Sequence, residues 1–508
     1  MSAKSAAAPR KIRWWPAAVI VAVAAAYLAR VWLGAARHTQ DRVVMTFPAL
    51  FFGVLLLLVW LCLFSRLPGR TRRRIFVVSL VVAAAGTGLF RIEGVSGNFV
   101  PIVSPRWSGA RDFGAAAAAA AGVTAPGPND YPQFLGPRRD GRLDGPRLAR
   151  DWQARPPREL WRHEVGEGWS SFAVVGEAAV TQELRGDDEV VVRYELTTGK
   201  TVWTHAYPAP FRTTIAGNGP RATPTIADGR VYAVGATGVL SVLDLDDGEV
   251  VWTHDLSAGV PQWGKSTSPL VVGETVVVPA GSAEGSLVAY DRETGEVVWA
   301  AGDDRPAYSS PHLATLAGVE QVLMFNAASF TGHDAATGEV LWRVEWKGGE
   351  HTTQPLPLGG DRVLTSAGYG MGSRLYEISR RDGDTFAVTE VWSSPRLKSK
   401  FANMVLRDGT IYGLDDGVLV AIDPASGERR WKSGRYGHGQ LVLVGDLLLI
   451  QAENGEIVLV EASPEEHREL ARLAALSGKT WNPPVLSGRY LLVRNNREAA
   501  CYELAVEG

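Results

Sequence analysis

The feature that most constrains this chain is a short pattern that recurs along it. In the copy Leu287–Trp299, strand-forming residues lead into the polar turn Asp291–Gly295, and a second apolar run ends on the tryptophan. The glycine suits the turn because it adopts positive φ angles without steric penalty. Further copies, one of them worn and one longer and altered, end at Trp203, Trp252, Trp342, Trp392 and Trp431. A strand–turn–strand unit repeated in this way is typical of a β-propeller, whose four-stranded blades surround an axis.

The spacing of the pattern gives the number of blades. The marker tryptophans follow one another at about 40–50 residues, which is the length of one four-stranded blade. We predict that each packs between neighbouring blades, where its large aromatic area is buried and its indole N–H needs an acceptor. The tryptophans are Trp161, Trp203, Trp252, Trp299, Trp342, Trp392 and Trp431.

Both ends of the repeat region carry incomplete blades. Three short strands without a fourth are predicted around Pro484–Leu486, Tyr490–Arg494 and Ala500–Leu504, whereas the strand Glu159–Trp161 has no blade of its own. Pairing them closes the ring and hides two strand edges. The prediction is therefore an all-β fold, an eight-bladed β-propeller of four-stranded antiparallel blades. Seven blades is the alternative, if one irregular segment is an insertion.

The N-terminal part has the composition of a membrane module. Residues 1–90 contain twelve Lys or Arg and a single acid, Asp41, although the whole chain has a net charge of −2. The remainder is therefore acidic and unlike a nucleic-acid-binding surface. Three transmembrane helices are predicted, at Trp14 to Leu33, Val43 to Phe64 and Ile75 to Phe90. The first is not interpreted as a cleaved signal peptide, because further spans follow it.

The basic residues around the spans set the orientation. Four bases precede the first span and five arginines separate the second from the third, against two between the first and the second. The positive-inside rule then places the N-terminus in the cytoplasm. We predict a protein of the bacterial inner (cytoplasmic) membrane with a membrane module (1–90), a juxtamembrane segment and Ala/Gly/Pro-rich linker (91–128) and a periplasmic or extracellular propeller (129–508). Cys62 and Cys501 fall in different parts, so no disulfide between them is expected.

The unit Ala289-x-Asp291-x-x-Thr294-Gly295-x-x-x-Trp299 resembles the tryptophan-docking motif of the PQQ-type eight-bladed propellers. That superfamily includes quinoprotein alcohol dehydrogenases and BamB, the propeller lipoprotein of the outer-membrane β-barrel assembly machine. The motif is specific for the fold and says little about chemistry, because unrelated functions share a fold. Four segments resemble more narrowly the membrane-anchored bacterial proteins with PQQ-binding-like β-propeller repeats: Tyr131–Gly141, Gly217–Pro224, Trp263–Pro269 and Arg435–Gly439.

The chain departs from both well-understood branches of that superfamily. The resemblance to the dehydrogenases implies PQQ with calcium as cofactor. The adjacent cysteine pair, the calcium ligands, the catalytic aspartate and the Cys-x-x-Cys-His haem motif of that branch have no match in the sequence. The assembly lipoprotein is anchored by a lipidated cysteine, which membrane spans replace here. The histidines are scattered without the short spacings of zinc sites, so neither a metal site nor a catalytic residue is predicted.

A ligand site is predicted at the axis of the ring. The segments that lead into the first strand of each blade converge there, and they supply aromatic rings, three cations, neutral hydrogen-bonding groups and no carboxylate. This combination favours an anionic or carbonyl-rich ligand. The alternative is that these residues satisfy backbone groups of ordinary loops. The predicted ligand-binding residues are Trp169, Arg221, Thr223, Trp263, Lys265, Ser266, Tyr308, His351, Lys400, Asn403, Tyr436, His438 and Trp481.

Two functions follow from these patterns. The first is a binding or scaffold module outside the inner membrane that docks a protein, peptide or glycan without catalysis. The second is a PQQ-dependent oxidoreductase with the quinone in the central funnel. The absence of the cysteine pair and of the haem motif favours the first, with a protein or small-molecule partner at the propeller face.

Overall fold

The computed structural model describes residues 12–34, 39–107, 127, 129–282, 285–381 and 385–507. The chain divides into two compact units, one of residues 1–110 with 214–217 and one of residues 111–213 with 218–508. Each unit is considered by itself. Most of the predicted linker, residues 108–126 and 128, lies outside the described residues.

The first unit contains three helices and a π-helical turn, which span Trp15–Leu33, Thr39–Val59, Trp60–Phe64 and Gly69–Leu89. The first two helices pack against each other in opposite directions. Near one end of the pair, Trp32 Nε1 donates to Thr46 Oγ1 at 3.0 Å. Near the other end, Trp60 Nε1 donates to the Arg13 carbonyl oxygen at 3.0 Å.

Two of the three predicted membrane spans have the length and apolarity that a bilayer requires. These are the helices Trp15–Leu33 and Thr39–Phe64. A helix also forms at the third predicted span, Gly69–Leu89, but arginines occupy four of its first six positions. Its apolar part is therefore shorter than the roughly 20 residues that a span needs. Length and composition support two candidate spans rather than the three predicted.

A two-stranded hairpin follows the third helix, within the predicted juxtamembrane segment. Its strands are Phe90–Val95 and Pro101–Pro105. They pair in antiparallel register, and one bulge interrupts the ladder after Ile92. We refer to this element as the juxtamembrane hairpin.

The second unit is an eight-bladed propeller of antiparallel sheets, in which the eighth blade takes its fourth strand from the start of the unit. Blade 1 consists of the strands Ala173–Val175, Ala178–Arg185, Asp188–Glu195 and Thr201–Pro208, and blade 2 of Thr225–Ala227, Arg230–Val234, Val239–Asp244 and Val250–Asp255. Blade 3 consists of Leu270–Val272, Thr275–Ser282, Gly285–Asp291 and Val297–Ala301, and blade 4 of His312–Leu316, Val319–Phe325, Ser329–Asp334 and Val340–Glu345. Blade 5 consists of the strands Leu356–Gly359, Arg362–Ala367, Gly372–Arg380 and Phe386–Ser394, and blade 6 of Val405–Arg407, Thr410–Asp415, Val418–Ile422 and Arg429–Arg435. Blade 7 consists of Gln440–Val444, Leu447–Gln451, Glu456–Glu461 and Arg468–Ala474, and blade 8 of Val485–Ser487, Tyr490–Arg494, Glu498–Glu503 and Arg158–Glu164.

The ring closes as the sequence predicts. The strand Arg158–Glu164 pairs in antiparallel register with Glu498–Glu503, and Trp161 lies opposite Cys501. The number of blades is eight, and each sheet has the predicted four antiparallel strands, with the short parallel strand Arg142–Leu143 added at the first strand of blade 7. The first strands of blades 1 to 4 contact one another in sequence, which places them around the axis.

The marker tryptophans join neighbouring blades. The indole N–H of Trp161 donates to the Leu196 carbonyl oxygen of blade 1 at 2.8 Å. Its ring covers Gly199, which has a φ of +68°, so closely that a Cβ there would lie 2.5 Å from the ring. The same two contacts with the next blade are made by Trp203, Trp252 and Trp392.

The remaining three tryptophans vary the arrangement. Trp299 covers Gly338 in the turn of blade 4. Trp431 donates to the Ser463 carbonyl oxygen at 3.0 Å. Trp342 donates instead to Gln321 Oε1 of its own blade, at 2.6 Å, and packs in a hydrophobic cluster with residues of blade 5.

A segment that precedes the ring in the chain crosses the axis, and we call this segment, Tyr131–Gly141, the axial strap. It touches inner residues of blades that are far apart around the ring. Arg139 lies near its C-terminal end and is 3% exposed. The contacts are Tyr131 N to Val174 O, Ile226 N to Pro132 O, Arg139 Nη1 to Pro269 O, Gln354 Nε2 to Arg139 O and Leu443 N to Gly141 O.

Candidate functional site

The candidate site is the axial mouth, the face of the ring at which the segments leading into the first strands meet. In an antiparallel blade, the connection between the second and third strands returns to this same end. The mouth therefore combines two kinds of loop from each blade. The leading segments are residues 165–172, 209–213 with 218–224, 256–269, 302–311, 346–355, 395–404, 436–439 and 475–484.

Hydrogen bonds between consecutive blades form an inner belt just below the mouth. In each, a backbone or side-chain N–H of one blade donates to an oxygen of the next. Two of the predicted ligand-binding residues, Thr223 and Asn403, are used in this belt. Its bonds are Ser171 N to Thr223 Oγ1 at 3.2 Å, Thr223 N to Ser268 Oγ at 3.0 Å, Ser268 N to Ser310 Oγ at 2.9 Å, Gln354 N to Asn403 Oδ1 at 2.9 Å and Asn482 Nδ2 to Ser170 O at 2.7 Å.

Above the belt, aromatic rings and ammonium groups alternate. The Lys479 Nζ atom lies 4.7 Å from the ring centre of Trp169 and 4.1 Å from that of Trp481. Phe401 contacts Trp481 with ring centres 4.7 Å apart. These distances are those of cation–π contacts and tilted aromatic pairs.

The row continues on the far side of Phe401. The Lys400 Nζ atom lies 5.3 Å from the Phe401 ring centre and 4.6 Å from that of Tyr369. We call the whole row the aromatic–cation arc. It consists of Trp169, Lys479, Trp481, Phe401, Lys400 and Tyr369.

A second group faces the mouth from blades 2 to 4. The Arg221 guanidinium lies 4.7 Å from the Phe211 ring centre. Tyr308 accepts a hydrogen bond at its hydroxyl from Trp263 N, at 3.3 Å. Arg221 also interacts electrostatically with Tyr308 and with Glu189, so these side chains form one group.

Carboxylates complete the mouth, although the predicted set contained none. Glu453 accepts from Trp481 Nε1 at 3.0 Å and from His438 N at 3.0 Å. Glu350 accepts from the Trp263 side chain, and burial raises the pKa of its carboxyl group. Glu189 accepts from Ala236 N at 3.1 Å.

Partial burial weakens the charged state of several of these groups. Burial lowers the pKa of Lys479 to about 8 and the pKa of Arg221 to about 10. Burial also raises the pKa of Glu189 to about 7, against the opposing influence of its hydrogen bonds and of Arg221. Electrostatic interactions with an incoming ligand are stronger in such poorly solvated surroundings than in water.

Other predicted residues point into the framework. Lys265 Nζ donates to the carbonyl oxygens of Pro279 and Ala280 at 2.9 and 3.1 Å. Ser266 Oγ donates to Tyr308 O at 2.9 Å.

Three more predicted residues are held by neighbours within the ring. His351 stacks on Phe325 with ring centres 3.9 Å apart. The Tyr436 hydroxyl lies 2.8 Å from His467 Nε2, between blades 6 and 7. His438 is buried beside Phe401, with ring centres 5.8 Å apart.

Of the thirteen predicted residues, the structure brings six to the mouth: Trp169, Arg221, Trp263, Tyr308, Lys400 and Trp481. The residues that the prediction missed come from two sources. Phe401, Lys479, Phe211 and Glu350 lie in leading segments, next to or near predicted positions. Tyr369, Glu453 and Glu189 lie at or beside the connections between second and third strands, which sequence reasoning did not assign to this face.

Among the described residues, no group of three or more His, Cys, Asp or Glu side chains is arranged to hold a metal ion. The acids of the mouth instead accept hydrogen bonds from tryptophan, tyrosine or backbone donors. The donor chemistry of the mouth is thus that of cations and aromatic rings.

Fold and mouth together define a β-propeller of the PQQ type with an aromatic, cation-bearing axial site. The family model described as outer membrane protein assembly factor BamB matches residues 152–312 and 326–504. The chain belongs to this family, and the match covers the propeller apart from most of the first two strands of blade 4 and leaves the helices of the first unit outside.

Individual relatives come from both branches of the superfamily. Quinohemoprotein alcohol dehydrogenase ADH-IIG of Pseudomonas putida is 27% identical over 253 residues, which cover 47% of this chain and 32% of the relative. Outer membrane protein assembly factor BamB of Shewanella oneidensis is 23% identical over 268 residues, which cover 48% of this chain and 62% of the relative. The chain therefore spans about a third of the first relative and less than two thirds of the second.

A solved structure agrees with the fold. The crystal structure of quinohemoprotein alcohol dehydrogenase from Comamonas testosteroni superposes with a TM-score of 0.55 at 14% identity, covering 75% of this chain and 81% of that protein. At this identity the similarity concerns the fold alone.

Proposed function

We propose that this protein is a membrane-tethered binding module whose axial mouth docks a protein, peptide or glycan outside the inner membrane, without catalysing a reaction on it. The observation that carries the proposal is the aromatic–cation arc. Its rings offer flat apolar faces, and Lys479 and Lys400 stand between them with Arg221 close by. Apolar walls with a few convergent polar groups are typical of a binding site.

Charge and hydration favour a ligand that carries anionic groups. Burial lowers the pKa of Lys479 and of Arg221, so each cation is incompletely solvated without a ligand. An anion that enters the mouth would restore the lost solvation and gain a charge-assisted hydrogen bond. The name of the Shewanella relative refers to the assembly of outer membrane proteins, which supports a protein or peptide as the docked molecule.

The tether follows from the first unit. We propose a membrane module of residues 1–90, a linker of residues 91–128 and a propeller of residues 129–508, with the N-terminus in the cytoplasm. The two helices that are long and apolar enough to span support the anchoring, and the arginines that begin the third helix suit the cytoplasmic side. A third crossing at Gly69–Leu89 would deliver the propeller to the periplasmic or extracellular face.

Photo-crosslinking in native membranes tests the docking. A photoreactive residue at position 369 reports from the edge of the arc, and one at position 391 reports from the outer strand of the same blade. Tyr369 and Val391 are both 37% exposed, so the two probes are matched in accessibility. The expected result is a discrete adduct at 369 that is absent at 391 and is lost when Lys400→Ala and Lys479→Ala are combined. Equal capture at both positions would exclude the mouth as the docking site.

A PQQ-dependent oxidoreductase is the second candidate, favoured by the similarity to a quinohemoprotein. The mouth fits the organic part of that cofactor: Arg221 and Lys400 would hold carboxylates of a planar quinone, and the tryptophan rings would stack on it. The quinone would supply the capacity to accept electrons from an alcohol. The described residues provide no acidic cluster for the accompanying calcium ion. Titration with PQQ, with and without calcium, tests this candidate. Saturable absorbance changes that disappear in Arg221→Ala would support it, and unchanged spectra would reject it.

A further inference from the structure

The juxtamembrane hairpin is amphipathic. Successive side chains on a strand point to opposite faces, so Phe90 and Ile92 share one face with their cross-strand partners Pro105 and Val103. All four are apolar. Phe90, Ile92 and Val103 are 43%, 59% and 57% exposed, so this face is uncovered in the structure.

The opposite face of the hairpin carries the half-buried Ile102 toward the tip and polar side chains next to the helix. There Arg91 Nε donates to Ser104 Oγ at 3.4 Å, and the same guanidinium forms an ion pair with Glu93 at 3.4 Å. Ser104 is buried. The two faces therefore differ in both polarity and exposure.

A hairpin of this kind is unsuited to stand alone in water. Two-stranded hairpins are marginally stable by themselves, and a contiguous exposed apolar patch marks a surface that another phase or molecule covers. Covering the apolar face would remove three large side chains from water.

The position of the hairpin indicates what covers it. Arg106 N donates to the Leu89 carbonyl oxygen at 2.9 Å, and Arg106 Nε donates to the Thr87 carbonyl oxygen at 3.0 Å. These bonds attach the hairpin rigidly to the C-terminal end of the helix Gly69–Leu89. None of the residues of that helix is buried within the structure. The hairpin begins directly after the helix, so one exposed apolar segment follows the other along the chain.

The aromatic residues at the junction have the character of a membrane interface. Phe90 and Trp107 contact each other with ring centres 6.3 Å apart, and Trp107 is 66% exposed. Tryptophan is enriched where headgroups meet acyl chains, and arginine at the same level reaches anionic headgroups. Arg106, which precedes Trp107 in the chain, supplies a cation at this junction.

We propose that the apolar face of the juxtamembrane hairpin lies on the outer leaflet of the inner membrane, at the boundary between headgroups and acyl chains. The partner is thus a lipid surface, with anionic headgroups near Arg106. This inference rests on the proposed tether, in which Gly69–Leu89 crosses the bilayer and ends at that leaflet. The hairpin then fixes the start of the linker at the membrane surface.

The test uses the full chain reconstituted into vesicles of phosphatidylcholine with one third phosphatidylglycerol. Cys62 is replaced by Ser to remove the accessible native thiol, since Cys501 is buried. An environment-sensitive fluorophore is attached at Ile92→Cys on the apolar face, or at Arg91→Cys on the polar face as the matched neighbour. Val103→Cys provides a second apolar reporter and Val81→Cys reports on the helix. Lipids with a nitroxide near the headgroup or deep in the chain serve as quenchers.

The expected result is that the shallow quencher suppresses the fluorescence at positions 92 and 103 but not at 91, while the deep quencher suppresses it at position 81. Quenching at 81 with water-exposed spectra at 92 and 103 would overturn the hairpin inference and leave the tether standing. Loss of quenching at all three apolar positions would overturn the third crossing as well. Equal quenching at 91 and 92 would show that the hairpin has no preferred face on the lipid.

Discussion

The indole N–H of Trp161 donates to the Leu196 carbonyl oxygen at 2.8 Å, across the seam at which the last blade meets the first. Trp161 belongs to the strand that completes blade 8, and Leu196 directly follows the third strand of blade 1. This single side chain therefore supports both the closing strand and its neighbour.

Replacing Trp161 by alanine is expected to lower the free energy of unfolding of the propeller by about 3–5 kcal/mol, the range for removing a buried aromatic side chain. Urea unfolding followed by intrinsic fluorescence measures it. Trp107→Ala serves as the control, because Trp107 is exposed. A variant that unfolds at the same urea concentration as the parent would contradict a role of Trp161 in the seam.

Alanine substitutions at Gly199 and Gly229 distinguish a packing clash from backbone strain. Gly199 and Gly229 both have positive φ, +68° and +75°, but a Cβ at 199 would collide with Trp161 whereas a Cβ at 229 would meet nothing within 4 Å. Gly229→Ala should cost about 1–2 kcal/mol from the left-handed conformation alone. Gly199→Ala should cost about 1–3 kcal/mol more because of overpacking. Equal losses of unfolding free energy in the two variants, measured with urea, would mean that Trp161 moves aside without destabilising the propeller.

Glu189 gives the propeller a predictable pH dependence. Burial raises the pKa of its carboxyl group to about 7, so the folded state holds this proton more tightly than the unfolded state. The associated stability is fully present below about pH 4.5 and is lost as the pH rises through 7, by an amount on the order of 3 kcal/mol. Glu189→Gln should remove this loss, which flattens the stability profile between pH 5 and 8. Glu177→Gln, at an exposed position, should keep the slope of the parent, and an unchanged slope in Glu189→Gln would refute the assignment.

Two adjacent arginines of the axial strap should behave differently. Arg139 is buried and donates to the carbonyl oxygens of Pro269 at 2.9 Å and Ser268 at 3.1 Å. Arg139→Ala removes the donor to the Ser268 carbonyl oxygen and leaves Pro269 with only the Thr225 hydroxyl, which should cost about 2–4 kcal/mol. Arg138→Ala removes exposed interactions with Asp144, Asp140 and the Arg142 carbonyl oxygen and should cost at most about 1 kcal/mol. Similar losses for both variants in thermal unfolding would show that the strap does not hold the inner strands together.

The orientation of the membrane module is tested with reporter fusions after Arg74 and after Pro128. The arginines that begin the third helix favour the cytoplasm, so the first fusion should report a cytoplasmic position and the second an external one. Cytoplasmic signals from both fusions would remove the third crossing and the external location of the propeller. Full activity of an external reporter at Arg74 would instead invert the orientation.

The ring was predictable because its signal is local and repeated. Each copy of the pattern carries its own turn glycine and its own tryptophan, and the unpaired strand at Trp161 needed a partner. The mouth was less predictable, because Glu453 and Tyr369 reach it from connections between second and third strands, where the repeat leaves the sequence free to vary. Thr223 was predicted to bind a ligand because a hydroxyl group can hydrogen-bond either to a ligand or, as here, to the backbone of a neighbouring blade. The third helix does not meet the length and apolarity criteria for a span because its arginines belong to the helix itself rather than to the preceding loop, so its crossing stays a proposal.

The closing strand has a consequence for how the protein is made. The strand Arg158–Glu164 emerges from the ribosome before any complete blade, whereas its partner Glu498–Glu503 belongs to the eighth blade. During folding, the leading strand must therefore wait, with its edge open, until the eighth blade has been synthesised. Contacts of such long sequence separation form slowly and leave unfinished chains prone to association. A chain truncated before residue 498 would lack the partner of Arg158–Glu164, so closure of the ring itself reports that all eight blades have been synthesised.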